Sequence, residues 1–326
     1  MHERADYRVH TSDGVSLRVR QVGPAAPAAP VIVLVHGIAA PLEPTYDLPL
    51  AGSSFLDELA ARGYRAVAFD HRNFGASDRD PALDRPAIDD PEHRGAHTLD
   101  DSVEDIRAVI ADARERFGVR EVTLFGSSRG ALQVVAYAAA HRDGLAMVIM
   151  NNPSSLCYLA GASTGEALAW FREERTASQR AQNYLSYTAE HQRRRWAKLF
   201  GPESKVDSDI QDAYIECCLR SDPDGSRRDP PVFRVPTESI PDRTPLVGLD
   251  RVRAPCLVIE AEHKPAAHVA ELARALPAGL ARMVAIRDSD HFTLRNPRRF
   301  ELLNIIDAAI TGLRWGTTAS GARDPS

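Results

Sequence analysis

Short unbroken runs of β-branched and aliphatic residues alternate along much of the chain with stretches whose apolar positions recur at helical spacing. Runs at 31–35, 64–69 and 121–125 read as strands covered on both faces, and 145–150, 256–260 and 281–286 as further strands. Helical spacing falls at 55–62, 98–117, 131–141, 267–276 and 297–313, the second opened by a Thr98/Asp101 capping box. Residues 7–22 read as two strands around the Asp13-Gly14 turn. Strand and helix in alternation predict an α/β fold, a mostly parallel central sheet with helices on both faces.

The alternation breaks between 153 and 250, where helical, polar stretches at 161–175, 178–200 and 207–220 precede a proline-rich return. This predicts an inserted helical cap (153–250) on a core built from 1–152 and 251–316, with a disordered tail at 317–326. A long polar loop at 78–97 is a candidate gate over a site.

Composition narrows the function classes. At 326 residues the chain fits one large α/β domain with an insertion, and 44% hydrophobic with 26% charged residues is a soluble globular balance. No apolar run is long enough to span a membrane, and the charged N-terminus does not read as a signal peptide, so a cytoplasmic location is expected. A net charge of −5 disfavours nucleic acid and anionic membranes as partners. Three lysines against 37 arginines suggest a GC-rich, bacterial coding genome. Cys157, Cys217, Cys218 and Cys256 have neither zinc-site nor disulfide-scaffold spacing and are expected as reduced thiols, Cys256 within a strand. His93 and His97 with nearby acids lack ligand spacing. No metal and no cofactor is expected.

The chemistry concentrates in Gly126-Ser127-Ser128-Arg129-Gly130, a G-x-S-x-G between a predicted strand and a predicted helix. A serine on so tight a turn needs small neighbours, and the turn lifts its Oγ above the sheet beside a helix N-terminus. A serine hydroxyl becomes a useful nucleophile when a base takes its proton, and a histidine suits neutral pH. His291, after the last predicted strand, is the candidate base.

These residues resemble the α/β-hydrolase superfamily. Leu34-Val35-His36-Gly37-Ile38 looks like that family's oxyanion strand end, and Asp70-His71-Arg72-Asn73-Phe74-Gly75-Ala76-Ser77 like its D-x-R-G-x-G-x-S loop, with Asn73 for the first glycine. Asp290-His291-Phe292 stands where the family has Gly-His. The resemblance implies Ser128 as nucleophile, His291 as general base, and the backbone amides of Ile38 and Arg129 as the oxyanion hole.

The family's third residue departs from pattern: Lys264 aligns with the acid, and the alternative slot holds Asn151, Asn152 and Pro153. Three readings are open. Glu262 or Glu260 reaches the histidine from a shifted position, with Glu262 the candidate acid; Asn152 orients it as a neutral partner; or Ser128 and His291 work as a dyad. In the cap, Arg193-Arg194-Arg195-Trp196 is a candidate contact for an anionic substrate, while Trp170, Phe171, Tyr184, Tyr187 and Trp196 are expected to pack cap on core or line an apolar pocket.

The leading expectation is a cofactor-independent serine hydrolase acting on an ester, thioester or lactone of a small to medium organic molecule, free or carrier-linked, as a monomer or homodimer. The alternatives are a non-hydrolytic Ser/His enzyme of natural-product biosynthesis (elimination, cyclisation or acyl transfer) and a non-catalytic ligand-binding protein on the same fold.

Overall fold

The structure, a computed structural model, describes residues 2–26, 28–37, 40–81, 97–153, 183–200, 205–236, 238–239, 248–262 and 272–312. The chain opens with β1 (Glu3–His10) and β2 (Ser16–Gly23), an antiparallel pair joined through Gly14 at φ 87°. Then follow β3 (Val31–Val35), α1 (Leu42–Tyr46), α2 (Phe55–Ala61), β4 (Arg65–Phe69) and the two-residue β5 (His97–Thr98). α3 (Leu99–Phe117), β6 (Val122–Ser127), α4 (Arg129–Ala140) and β7 (Leu145–Asn151) complete the first half of the core.

Eight strands form the main sheet in the order β1-β2-β4-β3-β6-β7-β11-β12, with β11 (Cys256–Ala261) and β12 (Ala281–Ile286) from the C-terminal part. β2 pairs antiparallel with both β1 and β4, and every later pairing is parallel. The chain passes from β3 to β4 on one side, then crosses to β6 on the other side of β3. Ligands of such sheets bind where the order reverses, at the carboxyl ends of the strands. Here those are the ends of β3 and β6, occupied by His36-Gly37 and Ser127-Ser128.

Side-chain alternation along the strands decides which helix each face meets. Val33, Leu124 and Val148 pack with Ile106 and Val109 of α3 and Leu132 and Val135 of α4. Ile32, Leu34, Phe125 and Ile149 face Leu56 and Leu59 of α2 and Leu302 and Ile306 of the last helix, Arg299–Thr311. Helices therefore cover both faces. β1 begins four residues before the expected Tyr7, and the expected boundaries of the later core strands and helices agree within two residues where described, since continuous apolar runs and caps are local signals. Thr98 and Asp101 make the capping box in both directions.

Between β7 and β11 the chain leaves the sheet. The described part contains β8 (Tyr184–Tyr187), α5 (Ala189–Phe200), α6 (Ser208–Arg220), the single turn α7 (Pro223–Ser226), β9 (Phe233–Pro236) and β10 (Glu238–Ser239), with Arg299–Thr311 becoming α8. One correction falls here. The helix expected across 178–200 begins at Ala189, and Tyr184–Tyr187 is instead a strand paired antiparallel with β9. Its alternating Tyr-Leu-Ser-Tyr pattern found a partner some 50 residues on, at 233–236, which local spacing does not show. The expected helices at 161–175 and 267–276 and the tail fall wholly or mostly outside the described residues, as does 82–96 of the polar loop.

A third apolar cluster joins this segment to the core. Trp196, Tyr214, Ile215, Cys217, Cys218, Phe233 and Val235 pack with Ala40, Leu48 and Phe74 from loops at the carboxyl edge of the sheet. The three described cysteines are buried, Cys256 within β11 as expected. No described helix is long and apolar enough to cross a membrane.

Candidate active site

Ser128 sits between β6 and α4 with φ 57° and ψ −116°, a conformation costly for a residue with a side chain. Two glycines make the turn sterically feasible. A Cβ on Gly126 would lie 2.3 Å from the Gly130 carbonyl oxygen, and one on Gly130 would lie 2.3 Å from the Val35 carbonyl oxygen. The Ser128 amide donates to Asn151 O (2.9 Å), and the Asn151 side-chain amide donates to Ser127 Oγ (3.2 Å), so β7 holds the turn from behind. α4 is buried along nearly its whole length and cannot slide away. Its N-terminus presents the Arg129 amide, and a Cβ on Gly37 would meet Ser128 Cβ at 3.4 Å and Arg129 N at 3.5 Å. The end of β3 thus backs directly onto the serine. Ile38, the other expected oxyanion donor, lies outside the described residues.

His291 follows β12, and its Nε2 is 3.0 Å from Ser128 Oγ. The fold closes a gap of 163 residues to make that contact. A neutral imidazole at this distance can take the hydroxyl proton as the oxygen attacks and deliver it to a leaving group.

The loop that carries His291 is held through its backbone. Asn152, at φ 45°, donates from Nδ2 to Thr293 Oγ1 (2.8 Å) and to the His291 carbonyl (3.2 Å), while its Oδ1 accepts the Ala261 amide (2.7 Å). One side chain therefore ties the ends of β7 and β11 to the histidine loop. The sequence offered Asn152 as a partner of the imidazole ring; the bonds found here go to the loop's backbone and Thr293. Asp290 accepts the Phe292 amide (2.9 Å) and Asn296 Nδ2 (3.0 Å) on one oxygen, and the Lys205 amide (3.0 Å) on the other. Glu262 is exposed and accepts the Asp288 amide at 2.8 Å, three residues before His291. That is the bond it makes, so it braces the same loop. Glu260 lies in β11, and Lys264 is outside the described residues.

Asn152→Leu removes these bonds and leaves the Ala261 amide buried without a partner. We expect kcat/KM on an activated ester to fall about 100-fold, mostly in kcat, since small misplacement of a catalytic group costs on that order. Steady-state kinetics beside circular dichroism check it; an unchanged kcat in a folded variant counts against the assignment.

Beneath the strand ends lies a buried polar layer. His36 Nε2 accepts the His71 amide (3.0 Å) while its Nδ1 donates to Gly37 O (2.6 Å), the pattern of a neutral ring. His71 Nδ1 lies 3.1 Å from Asp105 Oδ2, and Arg72 binds Asp105 through its amide (3.0 Å) and Nε (2.8 Å). Burial holds His36 well below its ordinary value, lowers His71 to about 3, and raises Asp105 to about 6 against the opposing charge of Arg72.

The unfolded histidines take up protons below about 6.5 and the folded ones do not, so both lose stability as pH falls. Asp105 acts oppositely, binding its proton earlier in the folded state. The net over these three groups is about one proton, so stability should fall as pH drops from 6 to 4, by about 1 kcal/mol per pH unit or more, because the lowered carboxyls of Asp6 and Glu104 act in the same direction. Urea titrations at pH 6, 5 and 4 test this, and a flat profile would mean these histidines are not held neutral.

Asn73 adopts φ 70°, a left-handed conformation that asparagine tolerates where the resembled loop has glycine. Trp196 of α5 stacks on Phe292 with centroids 4.2 Å apart, and Tyr214 of α6 meets the same ring edge-on at 5.9 Å. The aromatics thus pack the inserted segment on the histidine loop, as the sequence suggested for Trp196; Trp170 and Phe171 lie outside the described residues. Arg193 pairs with Asp212 and Arg194 with Glu190, both largely in solvent, which is the ordinary fate of a charged helix face. Among the described residues no group of three histidine, cysteine or acidic side chains is placed to hold a metal ion.

Residues 30–294 match the family described as alpha/beta hydrolase fold. The quorum-quenching protein AidA of Acinetobacter baumannii (strain MDR-ZJ06) is 32% identical over 128 residues, which cover 39% of this chain and 36% of that protein. The chain thus spans about a third of the length of this curated relative. The esterase RhEst1 from Rhodococcus sp. ECU1013 superposes with a TM-score of 0.59 at 20% identity, covering 94% of this chain and 99% of that one. The thioesterase domain from the curacin biosynthetic pathway gives 0.59 at 14% identity, over 93% and 99%. At these identities the structural likeness speaks for the fold.

Proposed function

The chain belongs to the alpha/beta hydrolase fold family, and on that premise we propose that it is a serine hydrolase, working without a cofactor, that opens an ester, thioester or lactone through an acyl-Ser128 intermediate. The observation that carries this reading is the 3.0 Å contact of His291 Nε2 with the hydroxyl of a serine held at positive φ above the sheet. His291 takes the Oγ proton while Oγ adds to the carbonyl carbon. The amides of Arg129 and Ile38 receive the developing oxyanion, an interaction whose loss typically costs 10²–10³-fold in kcat. His291 then protonates the leaving alcohol or thiol, and a water molecule, deprotonated by the same imidazole, releases the acid.

The segment 153–250 acts as the cap over this site, supported by the packing of Trp196 and Tyr214 against Phe292. Asn152 and Asp290 hold the backbone of the loop that carries the histidine.

Intact-protein mass spectrometry after treatment with a fluorophosphonate tests the reading. The expected result is one adduct on the wild type, absent from Ser128→Ala and His291→Ala. No adduct on the wild type would overturn it.

A further inference from the structure

Four residues beyond His291, Arg295 is buried with 6% of its surface accessible. Its Nε has no hydrogen-bond partner, and its guanidinium makes no ion pair among the described residues. Three other buried arginines here are compensated. Arg234 binds Asp222 with two bonds of 2.7 Å, Arg72 binds Asp105 and Asp13, and Arg65 donates to the carbonyls of Pro24 and Ala26. Arg295 has instead the Tyr214 ring at 4.7 Å and the Phe292 ring at 6.0 Å from its guanidinium carbon. Tyr46, Cys217 and Cys218 are the other polar neighbours that act on it. These neighbours supply no negative charge: burial pushes the Cys217 thiol up to about 11 and raises the Tyr46 hydroxyl above its ordinary value.

Arginine keeps its proton, so the result is a buried cation with aromatic contacts and unused planar donors. Such a charge is costly in the free protein unless it meets an anion at work. Its position says which one. The Arg295 amide donates to Phe292 O (2.8 Å) in the turn that carries His291. Tyr46, which feels its charge, donates its hydroxyl to Val35 O (2.6 Å), the oxygen against which Gly130 of the serine turn is packed. The guanidinium therefore lies between the histidine loop, the floor of the serine turn and α6.

Resting on the serine-hydrolase reading, we propose that the substrate carries a carboxylate and that Arg295 binds it, holding the ester carbonyl at Ser128. Arginine's planar fork matches a carboxylate with two parallel charge-assisted bonds. Arg193 and Arg194, part of the anion contact expected from sequence, pair on an exposed face, whereas Arg295 is buried in the turn that carries His291.

The test compares p-nitrophenyl hemiglutarate, an anionic ester, with p-nitrophenyl pentanoate, a neutral one of equal chain length, on the wild type, Arg295→Met and Arg295→Lys. The wild type should prefer the anionic ester. In Arg295→Met the anionic-to-neutral ratio of kcat/KM should fall about 50-fold, mainly through KM, with Arg295→Lys between. The melting temperature of Arg295→Met should equal or exceed that of the wild type, because an uncompensated buried charge is removed. A lower melting temperature with both esters slowed equally would assign Arg295 a packing role and overturn the proposal. A wild type that takes the fluorophosphonate and cleaves both esters equally would also overturn it while leaving the serine-hydrolase reading in place. If the wild type neither labels nor turns over, that reading fails instead, and calorimetry with glutarate decides on Arg295: weaker binding by Arg295→Met supports the carboxylate site, and equal binding overturns it.

Discussion

Ser128→Ala should lower kcat/KM on an activated ester by about 10⁵-fold or more, the scale seen when the nucleophile of a serine enzyme is removed. Residual turnover should come from transition-state binding alone. Ser128→Ala/His291→Ala should be no worse than either single change, because the two groups act as one unit. A companion substitution separates chemistry from folding. Ser128→Gly relieves a positive φ of 57° and should raise stability by about 1–3 kcal/mol while abolishing activity. Initial rates and denaturant titrations on the three variants test these statements together. An alanine variant keeping more than about one per cent of the wild-type rate would show that the nucleophile lies elsewhere.

Gly130→Ala should be among the most damaging single methyl groups in the core. Its Cβ would sit 2.3 Å from Val35 O and 3.0 Å from His36 O, both backbone atoms at the end of β3. β3 is held between β4 and β6, so the strand cannot yield and the N-terminus of α4 must retreat. Destabilisation of about 3 kcal/mol or more is expected. Retreat also draws the Arg129 amide from Gly37 and shifts Ser128 from His291, so kcat/KM should fall at least about 100-fold. Gly14→Ala is the matched control. It has a positive φ of 87° and nothing within 4 Å, so it should cost only the backbone strain of about 1–2 kcal/mol. Equal melting temperatures for the two variants would remove the steric argument.

The two predictions draw on features with very different visibility in the sequence. The serine turn was legible because it is local: two glycines, a strand before and a helix after are all within a dozen residues. His291 was legible only through its place after the last apolar run, since its distance from Ser128 in the chain carries no signal of contact. The bracing of its loop was harder still. Asn152 had been singled out beside an empty acid slot, but its side chain serves the loop's backbone, because β7 and β11 are neighbours in the sheet and end side by side. Asp290, which stands where the resembled family has glycine, braces the loop through Phe292, Asn296 and Lys205, none of which its place in the sequence announces. Arg295 gave no sign at all, as one arginine among 37.

What the sequence determined alone are the elements and the chemistry of the turn: apolar runs covered on both faces, the capping box at Thr98, and a serine flanked by glycines. Those depend on neighbours a few residues away, whose steric and solvation demands are written in order along the chain. Tertiary structure decided the strand at Tyr184–Tyr187, the bonds of Asn152, Asp290 and Glu262, and the uncompensated charge of Arg295. Each of these depends on which strands and helices lie side by side, and burial and charge compensation are set largely by residues distant in the chain, which only the completed sheet brings together.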